Sequence, residues 1–191
     1  LEDMNTPDID YVSVKISTIF SQINLLAFDE SVEAIAERLR LLYRAAMKHP
    51  SVLPDGTQKP RFVNLDMEEY RDLLMTVKAF CSVLDEPEFH QLSAGIVLQA
   101  YLPDSHEIQK ELTEWAKRRV QEGGAPIKIR IVKGANLAME QFEASLKGWA
   151  QAPYNNKIEV DANYKRMVMY GCLPENARCV HLGIASHNLF D

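Results

Sequence analysis

The chain has 191 residues, 47% of them hydrophobic and 25% charged, with 27 acidic side chains against 21 basic ones and a net charge of −6. These are the proportions of a folded globular chain, too apolar and too evenly mixed for a disordered acidic tail. The acidic balance and the lack of a basic run argue against a broad surface for nucleic acid or anionic membrane, and no apolar stretch reaches the roughly 18 residues needed to span a bilayer.

Residues 1–10, LEDMNTPDID, form a polar segment without the basic and apolar regions of a signal peptide. The start at Leu1 suggests a piece of a longer chain. Residues 11–17, YVSVKIS, are rich in β-branched side chains and read as a strand. From Asp29 to Met47 the apolar positions Val32, Ile35, Ala36, Leu39, Leu42, Tyr43 and Ala46 keep a helical period, with Asp29 or Ser31 as N-cap. HPSVLPDGTQKP is a Pro-rich loop.

The pattern repeats. Arg61–Asp66 reads as a strand, and Glu68–Leu84 as a helix with the stripe Tyr70, Leu73, Leu74, Val77, Phe80 and Leu84. Gly95–Tyr101 is the next strand. Asp104 and Glu107 make the spacing of a capping box before a helix that buries Ile108, Leu112, Trp115 and Ala116. A GGAP turn leads to the strand Ile127–Lys133, then to a helix marked by Met139, Phe142, Leu146 and Trp149. A shorter helix over 161–170 and a last strand, Arg178–Ser186, complete the series. Cys81, Cys172 and Cys179 have neither disulfide-framework nor zinc spacing; they read as reduced, mostly packed thiols, and no metal site is expected.

Strand and helix thus alternate four times before a fifth strand, the order of parallel strands joined by right-handed crossovers. The runs GIVLQAY and RCVHLGIAS are apolar enough to be covered on both sides. The fold class is α/β, either a doubly wound sheet or a (β/α)₈ barrel. No G-x-G-x-x-G follows a strand, which weakens the first. Polar residues recur at or near the strand ends: Lys15, Asp66, Gln99, Arg130 with Lys133, and His187 with Asn188. In a barrel those ends converge on one mouth.

Arg130 lies among Ile129, Ile131 and Val132, where a guanidinium needs an acceptor; an ion pair with Asp66 would satisfy it. Gln99, in an apolar strand, wants several hydrogen bonds, from a ligand edge or from the core. Lys15 points away from the face of Val14 and Ile16, toward a substrate carboxylate, toward Asp66, or both. Gly134 lets the backbone approach a ligand closely, or simply turns the chain. Arg118 and Arg119, at the end of their helix, read as solvated.

IRIVKGA at 129–135 resembles the R-L-V-K-G-A strand motif of proline dehydrogenases. VSVKIS around Lys15, NLDMEE around Asp66, VLQAY around Gln99 and ASHN at 185–188 resemble the same family in order and spacing. The likeness runs from about Tyr11 onward and is nearest to the proline dehydrogenase domain of the bifunctional proline utilisation A flavoenzymes. It implies a distorted (β/α)₈ barrel with FAD over the mouth and L-proline against the flavin, oxidised to pyrroline-5-carboxylate by hydride transfer to flavin N5. It implies Arg130 near N5, with Lys15 and Asp66 as the other catalytic residues. Gln99, Val132, Gly134, Ala135, Lys157, His187 and Asn188 would contact FAD, with Asp161 in the same segment as Lys157. Asn136 and Leu137 depart from the aromatic pair many members carry after KGA, which puts a substrate-shielding aromatic in doubt.

The resemblance assigns this chain strands two to six, so that residues 11–191 are the central part of an incomplete barrel. The family's arginine pair for the proline carboxylate has no counterpart here, and the isolated chain is expected to be inactive. Open strand edges invite pairing with another copy, a homo-oligomer, or with the remainder of the parent chain. A membrane quinone is the implied electron acceptor, and a cytoplasmic enzyme, peripheral at the inner membrane face, the implied location. Two other readings are a flavin barrel like methylenetetrahydrofolate reductase, which KGA, Arg130 and the Lys15 motif disfavour, and a non-catalytic fragment that folds only by association.

Overall fold

A computed structural model describes residues 9–188, so that most of the polar segment 1–10 and the last three residues lie outside the described residues. The chain runs through β1 (Tyr11–Lys15), α1 (Ile16–Ile19), α2 (Phe28–Lys48), β2 (Ser51–Val52), β3 (Gln58–Lys59) and β4 (Phe62–Asp66). It continues through α3 (Leu73–Leu84), β5 (Gly95–Gln99), α4 (Ser105–Gln121), β6 (Ile127–Val132), α5 (Leu137–Lys147), α6 (Lys157–Gly171), α7 (Pro174–Ala177) and β7 (Val180–Ile184). β2 and β3 form a small antiparallel hairpin inside the segment expected to be loop.

The main sheet has the order β1-β4-β5-β6-β7, and every neighbouring pair is parallel. Spatial order follows chain order with no reversal. A doubly wound sheet reverses at a switch point; a barrel does not. Right-handed crossovers in an unreversed sheet all fall on one side, so this is an arc of a (β/α)₈ barrel with its helices outside.

Side-chain alternation divides the sheet accordingly. Val63, Leu65, Ile96, Leu98, Ile127, Ile129, Ile131 and Val180 share the outer face and are fully buried in one core with Ile35, Leu39, Phe80, Leu112 and Met167 of the helices. In-register neighbours share a face, so Ser13, Lys15, Asn64, Asp66, Gln99, Lys128 and Arg130 share the inner one. β6 shows both at once, with three isoleucines buried and Lys128, Arg130 and Val132 half-buried between them. β5, the middle strand, is buried on both faces. β7 is not, contrary to its apolar run, because it pairs on one side only and leaves His181 and Ile184 exposed.

Several local expectations are corrected. Ser31 does not cap α2: its hydroxyl donates to the Asn24 carbonyl and accepts the Asn24 N–H, while Asp29 pairs with Lys78 at 2.6 Å. The capping box at α4 does not form, because Asp104 accepts from the Tyr70 hydroxyl at 2.7 Å and Glu107 pairs with Lys110. The stripe of Met139, Phe142, Leu146 and Trp149 faces solvent, and α6 covers the sheet instead, burying Tyr164 and Met167. Cys172 is exposed, while Cys179 is buried and Cys81 partly so.

Arg119 is the largest departure. It is 2% exposed, and its guanidinium donates to the carbonyls of Ala125 at 3.0 Å, Phe89 and His90 at 2.8 Å, Leu92 at 3.2 Å and also Leu84. These carbonyls lie just before β5 and β6, at the end of the sheet away from the strand C-termini. Burial lowers the Arg119 pKa, but each of the three guanidinium nitrogens meets at least one carbonyl acceptor. Arg119→Lys, with one small ammonium head, is expected to destabilise the protein by about 3 kcal/mol, read as a lower urea midpoint at unchanged slope.

Candidate active site

Four strands of the arc end on a residue singled out from the sequence: β1 on Lys15, β4 on Asp66, β5 on Gln99 and β6 on Val132. The ladder sets Lys15 beside Asp66 and Gln99 beside Val132. A cavity of about 880 Å³ opens over these ends. All ten candidate positions line it: Lys15, Asp66, Gln99, Arg130, Val132, Gly134, Ala135, Lys157, His187 and Asn188. Met67, Glu68, Lys133 and Asn136 line it too.

Arg130 and Asp66 form an ion pair that spans the intervening β5. Asn64 steadies Asp66 by donating to the same oxygen at 3.2 Å, and donates to the Ser13 hydroxyl as well. Lys15 does not pair with Asp66. It pairs with Glu68 at 2.9 Å, and Glu68 also accepts from Ser17. The bond and charge of Glu68 raise the Lys15 pKa. Burial pushes Glu68 up, but the Ser17 and Lys15 bonds outweigh it and leave Glu68 lowered. Glu68 was missed from the sequence because it lies beyond the strand, where two-residue alternation no longer tells which way a side chain points.

Lys157 reaches the cavity because α6 starts there. Asn156 caps that helix, accepting the Glu159 N–H at 3.0 Å. Asn163, about two turns further in, donates to the carbonyls of Ala100 and Leu102 and so ties α6 to the end of β5. Asp161 bridges Lys157 and Lys133, whose bonds lower its pKa. The lining carries four cations, Lys15, Arg130, Lys133 and Lys157, against two anions, Asp66 and Glu68. With Asp161 behind the two lysines, the mouth keeps an excess of one positive charge in a chain with a net charge of −6, which suits an anionic ligand.

Two polar atoms in the cavity wall are buried without a hydrogen-bond partner, Gln99 Oε1 and Arg130 Nε. Gln99 Nε2 is only loosely engaged, 3.4 and 3.5 Å from the carbonyls of Met67 and Glu68. Such groups cost stability unless something bonds them. They fit a cofactor ring edge with donors and acceptors, and the lysines fit the charge of phosphates or a carboxylate. Gly134 has φ of 129°, and a Cβ there would lie 2.5 Å from the Tyr101 ring, so the KGA turn needs glycine. Gly134→Ala is expected to cost about 1–3 kcal/mol and to displace Tyr101, seen as a lower melting temperature.

Behind the mouth, Asp72 is 6% exposed with Oδ1 unbonded, and Arg71 Nε stands 3.6 Å from it. Burial pushes its carboxyl up to about 6, despite Arg71 and with help from Glu69, Glu68 and Glu140. The folded protein thus holds this proton more tightly than the unfolded chain, and stability falls as pH rises from about 4 to 6. Asp72→Asn should stabilise by up to about 3 kcal/mol at pH 7, with the gain vanishing below about pH 4, measured by denaturation at both pH values.

The proline dehydrogenase family profile matches residues 2–191. Among solved structures, proline utilization A from Corynebacterium freiburgense is 50% identical over 99% of this chain, with a TM-score of 0.91. Proline utilization A from Bdellovibrio bacteriovorus, inactivated by N-propargylglycine, is 39% identical over 96%, with a TM-score of 0.81. A Bradyrhizobium japonicum proline utilization A mutant shares the fold, with a TM-score of 0.77 at 19% identity over 93% of the chain. The chain spans 19% of the first two proteins and 17% of the third. No curated protein matches.

Proposed function

The chain belongs to the proline dehydrogenase family, and from that premise we propose that it forms the cofactor-facing part of an FAD-dependent enzyme that oxidises L-proline to pyrroline-5-carboxylate. The observation that carries this is the cluster of Lys15, Asp66, Gln99 and Arg130 around one cavity at the strand ends. The chemistry a bound flavin supplies is two-electron oxidation, with hydride leaving the proline ring for N5.

The residues divide the remaining work. Gln99, with its free Oε1, would hold the polar edge of the ring system. Val132, Gly134 and Ala135 would present backbone where the strand ends and no side chain stands in the way of close approach. Lys157 would face phosphate charge, with His187 and Asn188 closing the wall on the β7 side. Arg130, anchored by Asp66 through one terminal nitrogen, keeps a fixed positive charge and an unused Nε at the cavity. A fixed cation stabilises negative charge that grows on a neighbouring ring during reduction, at no cost of reorganisation. Lys15, kept protonated by Glu68, gives a counter-charge for a substrate carboxylate.

Among the described residues no arginine pair lines the cavity, and a bidentate clamp on the carboxylate would come from elsewhere in the protein. We therefore take the 191 residues alone to be inactive, and the rest of a longer protein, or a second copy at the open edges of β1 and β7, to be their partner. A membrane quinone as electron acceptor, and a cytoplasmic enzyme peripheral at the inner membrane face, belong to the same proposal. No helix among the described residues is long and apolar enough to cross a membrane.

The test is flavin absorbance and proline-dependent dye reduction in the full-length protein. Arg130→Met should retain flavin and lose turnover by about 100-fold or more. A protein that binds FAD and leaves proline unoxidised would overturn the proposal, and wild-type turnover in Arg130→Met would overturn the role of Arg130.

A further inference from the structure

Strand β4 ends at Asp66, and the chain then runs as a loop over 67–70 whose last residue opens a short helical turn, Tyr70–Asp72. That loop lines the cavity with Met67 and Glu68. It has left the ladder, so its position depends on what else holds it. Three side chains among the described residues bond its main chain. Gln99 reaches its Met67 and Glu68 carbonyls at long range, 3.4 and 3.5 Å. The two shorter bonds come from the start of α5.

Asn136 occupies the N-cap position of α5 but makes no capping bond. Asparagine is among the best capping residues because its oxygen accepts the first free N–H groups of its own helix. Here its amide is spent elsewhere: Nδ2 donates to the Glu68 carbonyl at 2.6 Å. Four residues on, and so on the same helix face, Glu140 Oε1 accepts the Tyr70 N–H at 2.8 Å. One carbonyl and one N–H, two residues apart in the loop, are thus both held by one turn of α5. Between them the Glu68 carboxylate takes Lys15 at 2.9 Å and Ser17. Lys15 is a flexible side chain, 53% exposed, and Asp66, the other acid beside it, is bonded to Arg130.

We propose that Asn136 and Glu140 are positioning residues, a clasp that fixes the loop over 67–70 across the mouth and, through Glu68, sets where the Lys15 ammonium stands. This rests on the proline dehydrogenase reading of the cavity for its consequence in catalysis, though not for its geometry. Lys15 then carries its charge at one place before substrate arrives, and a carboxylate entering the cavity meets a cation that need not be ordered first. In this chain position 136 serves the clasp. Because Asn136 does not cap α5, its removal leaves that helix terminus as it was.

The test uses the full-length protein and two readouts. The first is acetic anhydride labelling of Lys15 across a pH series, read by peptide mass spectrometry, which follows the amine without any turnover. Glu68 and Asp66 are the acids that set it. The second is kcat and KM for proline. Asn136→Ala and Glu140→Ala should move Lys15 labelling to lower pH, as Glu68 drifts away, and raise KM about 5–10-fold with flavin absorbance retained and kcat changed less. Glu140→Gln removes the same charge as Glu140→Ala but keeps an oxygen for the Tyr70 N–H, and should match wild type in both readouts. Wild-type labelling in both alanine variants would overturn the clasp, as would a Glu140→Gln protein indistinguishable from Glu140→Ala. Labelling that shifts as described in a protein that leaves proline untouched supports the clasp and removes the assigned reaction instead.

Discussion

The parallel register of the main sheet is the constraint on which the rest of this molecule depends. With every neighbouring pair parallel and the strands in chain order, all C-termini fall at one edge, and side chains level with one another share a face. Lys15 beside Asp66 and Gln99 beside Val132 follow from that register alone. A slip of one residue in β6 would turn Arg130 into the isoleucine core and bring Ile129 or Ile131 to the mouth. Burial of the three isoleucines of β6 on the helix side therefore also aims Arg130 at the cavity.

The two faces of the sheet are stabilised by different physics. The outer face is an ordinary apolar core under α2, α3, α4 and α6. The inner face is polar, and its charges are held in pairs: Arg130 with Asp66, and Lys15 with Glu68. Ion pairs half open to water contribute little stability each. Their value lies in keeping charges at fixed places next to a cavity whose wall still holds unbonded polar atoms. Arg119, at the opposite end, does the converse: all three of its guanidinium nitrogens bond main-chain carbonyls and close the turns before β5 and β6, and it is buried away from the cavity.

The mouth has unequal rigidity. Residues inside the ladder, Arg130 and Gln99, are set by backbone pairing. Lys15 stands at the end of an edge strand, and its partner Glu68 on a loop whose ties come from Asn136 and Glu140. Asp72, buried at the end of the helical turn that follows this loop and with an elevated pKa, makes that region more costly to hold at neutral pH than in acid. The loop over 67–70 is thus where substitution or pH should perturb the site with least damage to the fold.

Periodicity and strand-end polarity were enough to identify five strands, their helices, and Lys15, Asp66, Gln99, Arg130, Lys133, His187 and Asn188 at the mouth, because alternation within a strand and ladder position are short-range properties; Val132, Ala135 and Lys157 came only with the family likeness. The VKGA turn carried the family likeness for the same reason: its residues are consecutive in the chain and line the cavity together. What the sequence could not show depends on contacts between distant segments. Asp104 and Glu107 have capping spacing, yet Tyr70 and Lys110 take them. Arg119 looks like a helix-end cation and is a buried hub. Met139, Phe142 and Leu146 have a core-like stripe on a helix that α6 displaces from the sheet. Lys15 pairs with Glu68 and not with its ladder neighbour, since a charged side chain chooses its partner by distance in space, which only the folded chain sets.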